Sequence, residues 1–253
     1  MHPMHVISFP KSGRTWLRVM LDDVGLGAIF SHDGADHVLR RHLTDLNPDK
    51  TRYAGTSVLL MVRDPRDTVV SGYFQVTRRL RIQVGSLSEL LRDDRHGIKK
   101  ICHFNLQWFA AGHQIHRFAI LSYERMHKSP SAALSAVATF AGIVLDDNIA
   151  QSVASNRTFQ RMRAAEASGE LGKRYGDILR PGQRNDEESF KVRRGIVGGY
   201  RNYLSQADLS YCEEIIAETG YCPRLDQAMS RWAVEQLAVP DRRLPRNNRD
   251  EIA

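Results

Sequence analysis

Lys11, Ser12, Gly13 and Thr15 fall together in one short stretch, Pro10-Lys11-Ser12-Gly13-Arg14-Thr15-Trp16-Leu17. A lysine offers a mobile point charge, serine and threonine offer hydroxyl donors, and a glycine without Cβ lets a ligand approach the backbone. That combination suits a phosphate or a similar tetrahedral anion. Two further cationic groups lie downstream. Arg63 and Ser71 bracket the residues Asp64 to Val70, and Arg193-Arg194-Gly195 ends a basic run that starts at Lys191. No cluster of His, Cys or carboxylates has metal-ligand spacing, so chemistry without a metal is expected. Cys102, Cys212 and Cys222 form no C-x-x-C pair. Cys212 and Cys222 could join, but a reduced, cytoplasmic setting is the simpler expectation.

Several elements must position these groups. The apolar run from Val6 to Phe9 predicts a buried strand. From Thr15 to Val24 the apolar positions 16, 17, 20, 21 and 24 follow the period of an amphipathic helix. Strand, tight loop and helix together point backbone N–H groups and the positive end of a helix dipole at one spot, which favours an anion. The loop is not a Walker A motif, because Lys11 precedes the single Gly13 rather than following a second glycine. Ala28-Ile29-Phe30 predicts a short strand, and residues 38–56 read as irregular or partly helical.

Ser57-Val58-Leu59-Leu60-Met61-Val62 is a continuous apolar run, as expected of a central parallel strand. Asp64 and Pro65 then read as N-cap and first position of a helix over 65–75. Arg63 is thereby placed at the carboxyl end of a strand, where open α/β sheets hold ligands. Its competing role is a plain ion pair with Asp67. Residues 76–97 read as surface loop and short helix, Lys99 to Ala111 as a helix, and 117–121 as another parallel strand ending at Tyr123. Pro130 to Ala141 predicts a helix, and Asp146-Asp147 caps the next. Residues 167–190 read as a long loop or lid, 206–218 as a helix, and the stretch after Pro223 as a helical turn or two through Trp232. The fold class expected is a three-layer α/β domain: a mostly parallel sheet with helices on both faces, like P-loop NTPases. One domain is expected over 1–239, followed by a disordered basic tail over 240–253.

The chain has 253 residues, enough for one full core. Charged residues make up 26% and hydrophobic ones 42%, the proportions of a folded globular protein rather than a disordered one. The formal charge of +7 favours an anionic partner without choosing among nucleotide, acidic substrate, nucleic acid and membrane surface. The first apolar run is too short for a signal peptide, and no apolar stretch approaches the ~20 residues that span a bilayer.

Three of these segments, in this order, resemble the sulfotransferases that use 3′-phosphoadenosine 5′-phosphosulfate (PAPS). PKSGRTWL is similar to the family's PKSGTTWL loop, with Arg14 in place of a threonine. The resemblance implies that Lys11, Ser12, Gly13, Arg14 and Thr15 hold the 5′-phosphosulfate, with Lys11 stabilising the oxygen left on the nucleotide and Trp16 stacking on adenine. RDPRDTVVSGY is similar to the segment whose Arg and Ser contact the 3′-phosphate, here Arg63 and Ser71. Phe190 to Arg201 is similar to the R-K-G-x-x-G-[DE]-W segment that closes over that phosphate. Arg193, Arg194 and Gly195 match its triplet, while Gly199-Tyr200 replaces the acidic residue and Trp. Tyr123 matches a tyrosine against adenine, and Thr158, in Thr158-Phe159-Gln160-Arg161-Met162, matches a nucleotide-binding hydroxyl.

The implied activity is sulfuryl transfer from PAPS to a hydroxyl or amine, leaving 3′-phosphoadenosine 5′-phosphate (PAP). The acceptor would be a small molecule or saccharide; no nucleic acid and no membrane span are expected. The family's usual base is a His in a K-T-H string, which is absent. His32 is the positional match, with Asp33, Asp36, His37 and His42 as rivals. A nucleotide kinase and a non-catalytic nucleic-acid-binding domain remain as alternatives; the first needs a Walker lysine and Mg²⁺ carboxylates, the second a continuous basic stripe with exposed aromatics. The variable loops 31–56, 76–97 and 167–190 name neither the acceptor nor an oligomeric state.

Overall fold

The computed structural model describes residues 4–236, apart from 39, 180, 181 and 184. In chain order it contains β1 (Met4–Ser8), α1 (Arg14–Asp23), β2 (Ala28–Ser31), β3 (Ser57–Val62), α2 (Pro65–Phe74), α3 (Leu87–Arg92), α4 (Ile98–Ala111) and β4 (Arg117–Ser122). There follow α5 (Tyr123–Lys128), α6 (Pro130–Phe140), α7 (Asp147–Asn156), α8 (Phe159–Ser168), α9 (Glu170–Tyr175), α10 (Gln206–Glu218) and α11 (Tyr221–Trp232).

The four strands form one parallel sheet in the order β2-β1-β3-β4. Ser8 pairs with Met61 and Val62 with Ser122, so the carboxyl ends of the strands finish close to one edge. Successive side chains of a strand face opposite ways, and β3 therefore feeds two cores. Val58, Leu60 and Val62 join Ile7 and Ile120 in the core that also takes Phe104 and Trp108 of α4, Ile215 of α10 and Tyr221 of α11. Leu59 and Met61 join Val6, Ala119 and Leu121 against Leu17 and Met20 of α1 and Leu134 and Val137 of α6. Val58 to Val62 are all 1% exposed or less, which is why the run carries no polar alternation. Each such side chain contributes about 1.5–3 kcal/mol by leaving water. The result is the expected three-layer α/β architecture.

Local signals act as their chemistry dictates. Asp64 accepts a hydrogen bond from the Arg66 N–H at 2.8 Å, and Pro65 occupies the first position of α2. Asp146 caps α7 in the same manner. Among the described residues of 38–56 there are two short 3-10 turns, at Leu43–Asp45 and Thr51–Tyr53.

Two expectations are corrected. Most of 167–190 is not a long loop: α8 continues to Ser168, α9 follows at once, and further 3-10 turns cover Gly176–Leu179 and Glu187–Ser189. Gly169, at φ +81°, is a left-handed joint between two helices rather than a breaker. Leu171 and Leu179 hold the segment by packing with Val19 and Met162. Pro223 likewise does not precede a last turn. It sits in the first turn of α11, a helix of twelve residues, where its missing N–H costs nothing. Cys102, Cys212 and Cys222 are free thiols. The tail expected over 240–253 lies outside the described residues.

Candidate active site at the carboxyl edge of the sheet

Each of the four strands delivers one part of a single cleft. After β1 the chain turns through Lys11, whose φ is +73°, and Gly13, whose φ is +93°, into α1. A Cβ on Gly13 would run into the Tyr123 ring, so only glycine fits this close approach. The first amides of α1 lack helical partners and face the cleft with the positive end of the dipole. After β2 comes His32, after β3 Arg63, and after β4 Tyr123. The Arg63 guanidinium lies 4.3 Å over the Tyr123 ring and donates to the Lys11 carbonyl at 3.3 Å, which ties three strand ends together.

A cavity of about 850 Å³ opens over this edge. Lys11, Gly13, Arg14, Thr15, Trp16, His32, Arg63, Ser71, Tyr123, Thr158, Arg193, Arg194 and Gly195 all line it. Ser12 is the sequence-predicted residue that does not; its side chain is buried beneath the loop. Thr158 also caps α8, accepting from the Arg161 N–H at 3.4 Å. Trp16 is held edge-on to Tyr123 and donates its indole N–H to the Arg157 carbonyl at 2.7 Å.

The segment from Lys191 to Tyr200 closes one wall, and carboxylates fasten it. Glu166, with no exposed surface, accepts the Lys191 N–H at 2.7 Å and the Val192 N–H at 2.8 Å, and pairs with Arg79 at 3.4 Å. Asp67, also buried, accepts the Gly198 N–H at 2.7 Å and the Tyr200 N–H at 2.9 Å. Asp67 lies 3.6 Å from Arg63, so the competing ion-pair role of Arg63 and its place in the cleft are both real. Gly195, at φ +63°, packs where a Cβ would strike the Phe159 ring, and its carbonyl accepts from His127 at 2.8 Å. Arg193 and Arg194 share Glu188, at 2.8 and 2.9 Å.

The electrostatics are strongly positive. Burial, with the neighbouring Lys191 and Arg79 charges, holds the Lys11 ammonium well below the usual lysine range. Burial and the Arg79 and Arg14 charges bring Lys191 down to about 8. Arg63 Nε, Arg193 Nε and Arg14 Nη1 are buried donors with no acceptor among the described residues. Donors of this kind cost free energy unless an anion meets them, and they lie on three arginines that line the same cavity.

Of the rival bases, only His32 and Asp36 line the cavity. Asp33 is buried against Lys50, at 2.6 Å, and Arg52. His37 is buried edge-on to Phe9 and beside His96. His42 pairs with Asp94 at 3.2 Å on the exposed surface. His32 Nδ1 is 2.8 Å from the Ser8 carbonyl, which can only accept, so Nδ1 carries the proton. Its Nε2 lone pair then faces Arg14 Nη2 at 2.7 Å. Burial, and next the Arg14 charge, keep this imidazole well below its usual range.

Lys191 and Glu166 are residues of the site that sequence reasoning does not assign, and Asp67 enters it only as a partner of Arg63. Lys191 stood in a quoted basic run without a role. The partners of Glu166 and Asp67 lie 25 and 131 residues away along the chain, and no local pattern signals such bonds. Among the described residues there is no group of three or more His, Cys, Asp or Glu that could hold a metal ion, and no helix is long and apolar enough to cross a membrane.

Fold and cleft together define a parallel α/β domain with a cationic ligand site built at a strand–loop–helix junction. A sequence model of the sulfotransferase domain matches residues 37–232, and the chain belongs to that family. The match begins after the Lys11 loop. Among curated relatives, a 3-alpha-hydroxysteroid sulfotransferase of Cavia porcellus is 25% identical over 66% of this chain. The chain spans only 58% of that relative's length. Sulfotransferase 2A1 of Macaca fascicularis is 20% identical, over 84% of this chain and 82% of its own. The structure of mouse sulfotransferase SULT7A1 complexed with PAP superposes with a TM-score of 0.63 at 18% identity, covering 90% of this chain and 89% of that one. Retinol dehydratase in complex with androsterone and inactive cofactor PAP gives 0.60 at 14% identity, covering 95% and 84%. These two likenesses are of fold.

Proposed function

We propose that the protein transfers a sulfuryl group from PAPS to a hydroxyl or amine of an acceptor and releases PAP. The observation that carries this reading is one cavity lined by cationic groups from three separate segments. We read them as two stations, Lys11 with the N-terminus of α1 as one and Arg63, Ser71 and Arg193 as the other. A ligand with anions at both ends suits the pair, and PAPS is one. The family, and the PAP complexes of two structures with this fold, favour it over a nucleoside triphosphate.

In this reading Ser12, Gly13, Arg14 and Thr15 surround the 5′-end, Trp16, Tyr123 and Thr158 the adenosine, and Arg63, Ser71, Arg193, Arg194 and Gly195 the 3′-phosphate. The acceptor oxygen forms the new S–O bond while the bridging S–O bond breaks, and the electron pair leaves on the 5′-phosphate. Lys11 stabilises that leaving oxygen, and His32 takes the acceptor's proton. Sulfuryl transfer of this kind needs charge stabilisation and positioning, which Lys11 and the helix supply without a metal.

The acceptor is read as a small molecule or saccharide; the hydroxysteroid in the name of one relative favours the small molecule. The chain to residue 239 is read as one catalytic domain acting in the cytoplasm, with no nucleic-acid partner. The test is incubation of the protein and radiosulfate-labelled PAPS with extract of its own cells, with and without EDTA. A labelled product that forms equally in EDTA supports the reading. No labelled product from PAPS, beside Mg²⁺-dependent turnover of ATP by the same protein, overturns it in favour of a kinase.

A further inference from the structure

His32 cannot serve as a base while its only lone pair is taken. The Ser8 carbonyl fixes the proton on Nδ1, and Arg14 Nη2 donates to Nε2 at 2.7 Å. Arg14 is also the residue at which the loop departs from the family's PKSGTTWL string. It opens α1, lines the cavity beside Lys11, Thr15 and His32, and keeps Nη1 buried with no acceptor among the described residues. One guanidinium therefore has one donor on the candidate base and another with no acceptor among the described residues. An anion bound at the N-terminus of α1 offers two or more oxygens to that fork, a far stronger acceptor than a neutral imidazole.

We propose that Arg14 is a positioning residue that occupies the His32 lone pair and gives it up to the nucleotide's 5′-end anion, so that the base is exposed only beside bound co-substrate. The proposal rests on the sulfotransferase reading. Every charged group around His32 is compatible with it. Arg14 and Arg18 of α1 and Lys191 of the closing segment all disfavour a charged imidazole, and His37 lies near enough to feel the His32 charge. Asp36 Oδ1, 3.7 Å from Nε2, is the carboxylate in position to favour the imidazolium once Arg14 withdraws. Moving the guanidinium onto an anion relieves the largest of the nearby cationic effects on His32 and frees the ring nitrogen in one step. Neutral Thr at position 14, as in the family string, has no such fork, and a chain carrying it would leave the histidine open at all times.

The test is nitrogen-detected NMR of the histidine side chains, with His32 assigned by its loss in H32Q. Spectra are recorded over a pH series for wild type and R14T, each with and without PAP, and PAP binding is scored separately by thermal shift. Expected in wild type alone is a neutral Nδ1–H tautomer whose Nε2 resonance is that of a hydrogen-bonded lone pair. In R14T that resonance moves to the free lone-pair position and the titration midpoint rises. PAP moves the wild-type Nε2 resonance toward the R14T position and leaves R14T nearly unchanged. R14M replaces R14T if the threonine variant does not fold.

Identical His32 titrations in wild type and R14T overturn the proposal. So does an unchanged Nε2 resonance in wild type that thermal shift shows to be saturated with PAP. If PAP fails to bind wild type, the sulfotransferase reading falls and the release step falls with it. The comparison of wild type with R14T still decides whether Arg14 occupies His32.

Discussion

Lys11 and Lys191 meet across 180 residues of chain: Lys11 Nζ donates to the Lys191 carbonyl at 3.3 Å, and the Lys191 charge is the largest cationic influence lowering Lys11. Two ammonium groups are thus gathered in a buried corner with Gln75 Oε1, at 3.3 Å, as the side-chain acceptor for Lys11. Burial and mutual repulsion disfavour the positive charge of both groups, and an anion entering the corner would favour it.

That arrangement makes nucleotide binding a proton-uptake reaction. Lys191 titrates at about 8 because burial and neighbouring cations disfavour its charge, and a bound phosphate reverses that influence. At pH 8 PAP binding should therefore take up protons, and Kd should tighten as the pH falls through about 8. Calorimetry in two buffers of different ionisation enthalpy reads the uptake directly, and Lys191→Met should remove most of it. Uptake identical in wild type and Lys191→Met would show that Lys191 does not face the nucleotide.

Glu166 should matter more to the closing segment than its distance in sequence suggests. It holds two backbone N–H groups of that segment and faces Arg79, all out of water. Glu166→Gln removes the buried carboxylate charge that faces Arg79 and turns an amide N–H toward backbone N–H donors. The expected cost is about 3–5 kcal/mol, the range for breaking a buried pair from one side. Urea unfolding measures it, and PAP affinity should fall as the Lys191–Gly195 wall loosens. Wild-type stability together with wild-type affinity would remove Glu166 from this role.

Gly13→Ala should disable the loop through geometry alone. Its φ of +93° is strained for alanine by about 1–3 kcal/mol, and the new methyl meets the Tyr123 ring. Loss of PAP binding with a folded far-UV spectrum is expected. Retained affinity would mean that the loop does not approach the nucleotide.

His32→Ala should lower kcat by about 10²–10⁴-fold, the usual range for a lost proton acceptor, and leave PAP affinity nearly unchanged. The wild-type rate should climb with pH as the loaded imidazole loses its proton, and that limb should vanish in the variant. A near-normal kcat would pass the role to Asp36, the other rival lining the cavity.

Much of this architecture could be read from short segments because each carries its own signal. Ser57 to Val62 reads as a central strand because both its faces are buried, and Asp64-Pro65 starts α2 by local capping chemistry. The anion-facing residues are legible for the same reason: Lys11 to Trp16, Arg63 to Ser71 and Arg193 to Gly195 are contiguous strings. What the sequence hides is the fastening between them. Glu166 to Lys191 and Asp67 to Gly198 are bonds made by the fold, with no periodicity to betray them. Residues 167–190 misled because their Gly, Arg, Asp and Glu content looks like loop, while a few apolar residues, Leu171 and Leu179 among them, suffice to pin short helices onto Val19 and Met162. Arg14 is plain in the sequence as a departure from the family string; its grip on His32 is not.

The most direct measurement is the melting temperature of the protein with PAP beside that with AMP, each at the same concentration. A ligand that binds only the folded state stabilises it by RT ln(1 + [L]/Kd), about 2.7 kcal/mol at a hundredfold excess over Kd. If Arg63, Ser71 and Arg193 receive a 3′-phosphate while Lys11 and α1 receive the 5′-end, PAP should raise Tm by several degrees and AMP by much less. Equal shifts with the two nucleotides, or none with PAP, would contradict the assignment of two anion stations to one nucleotide.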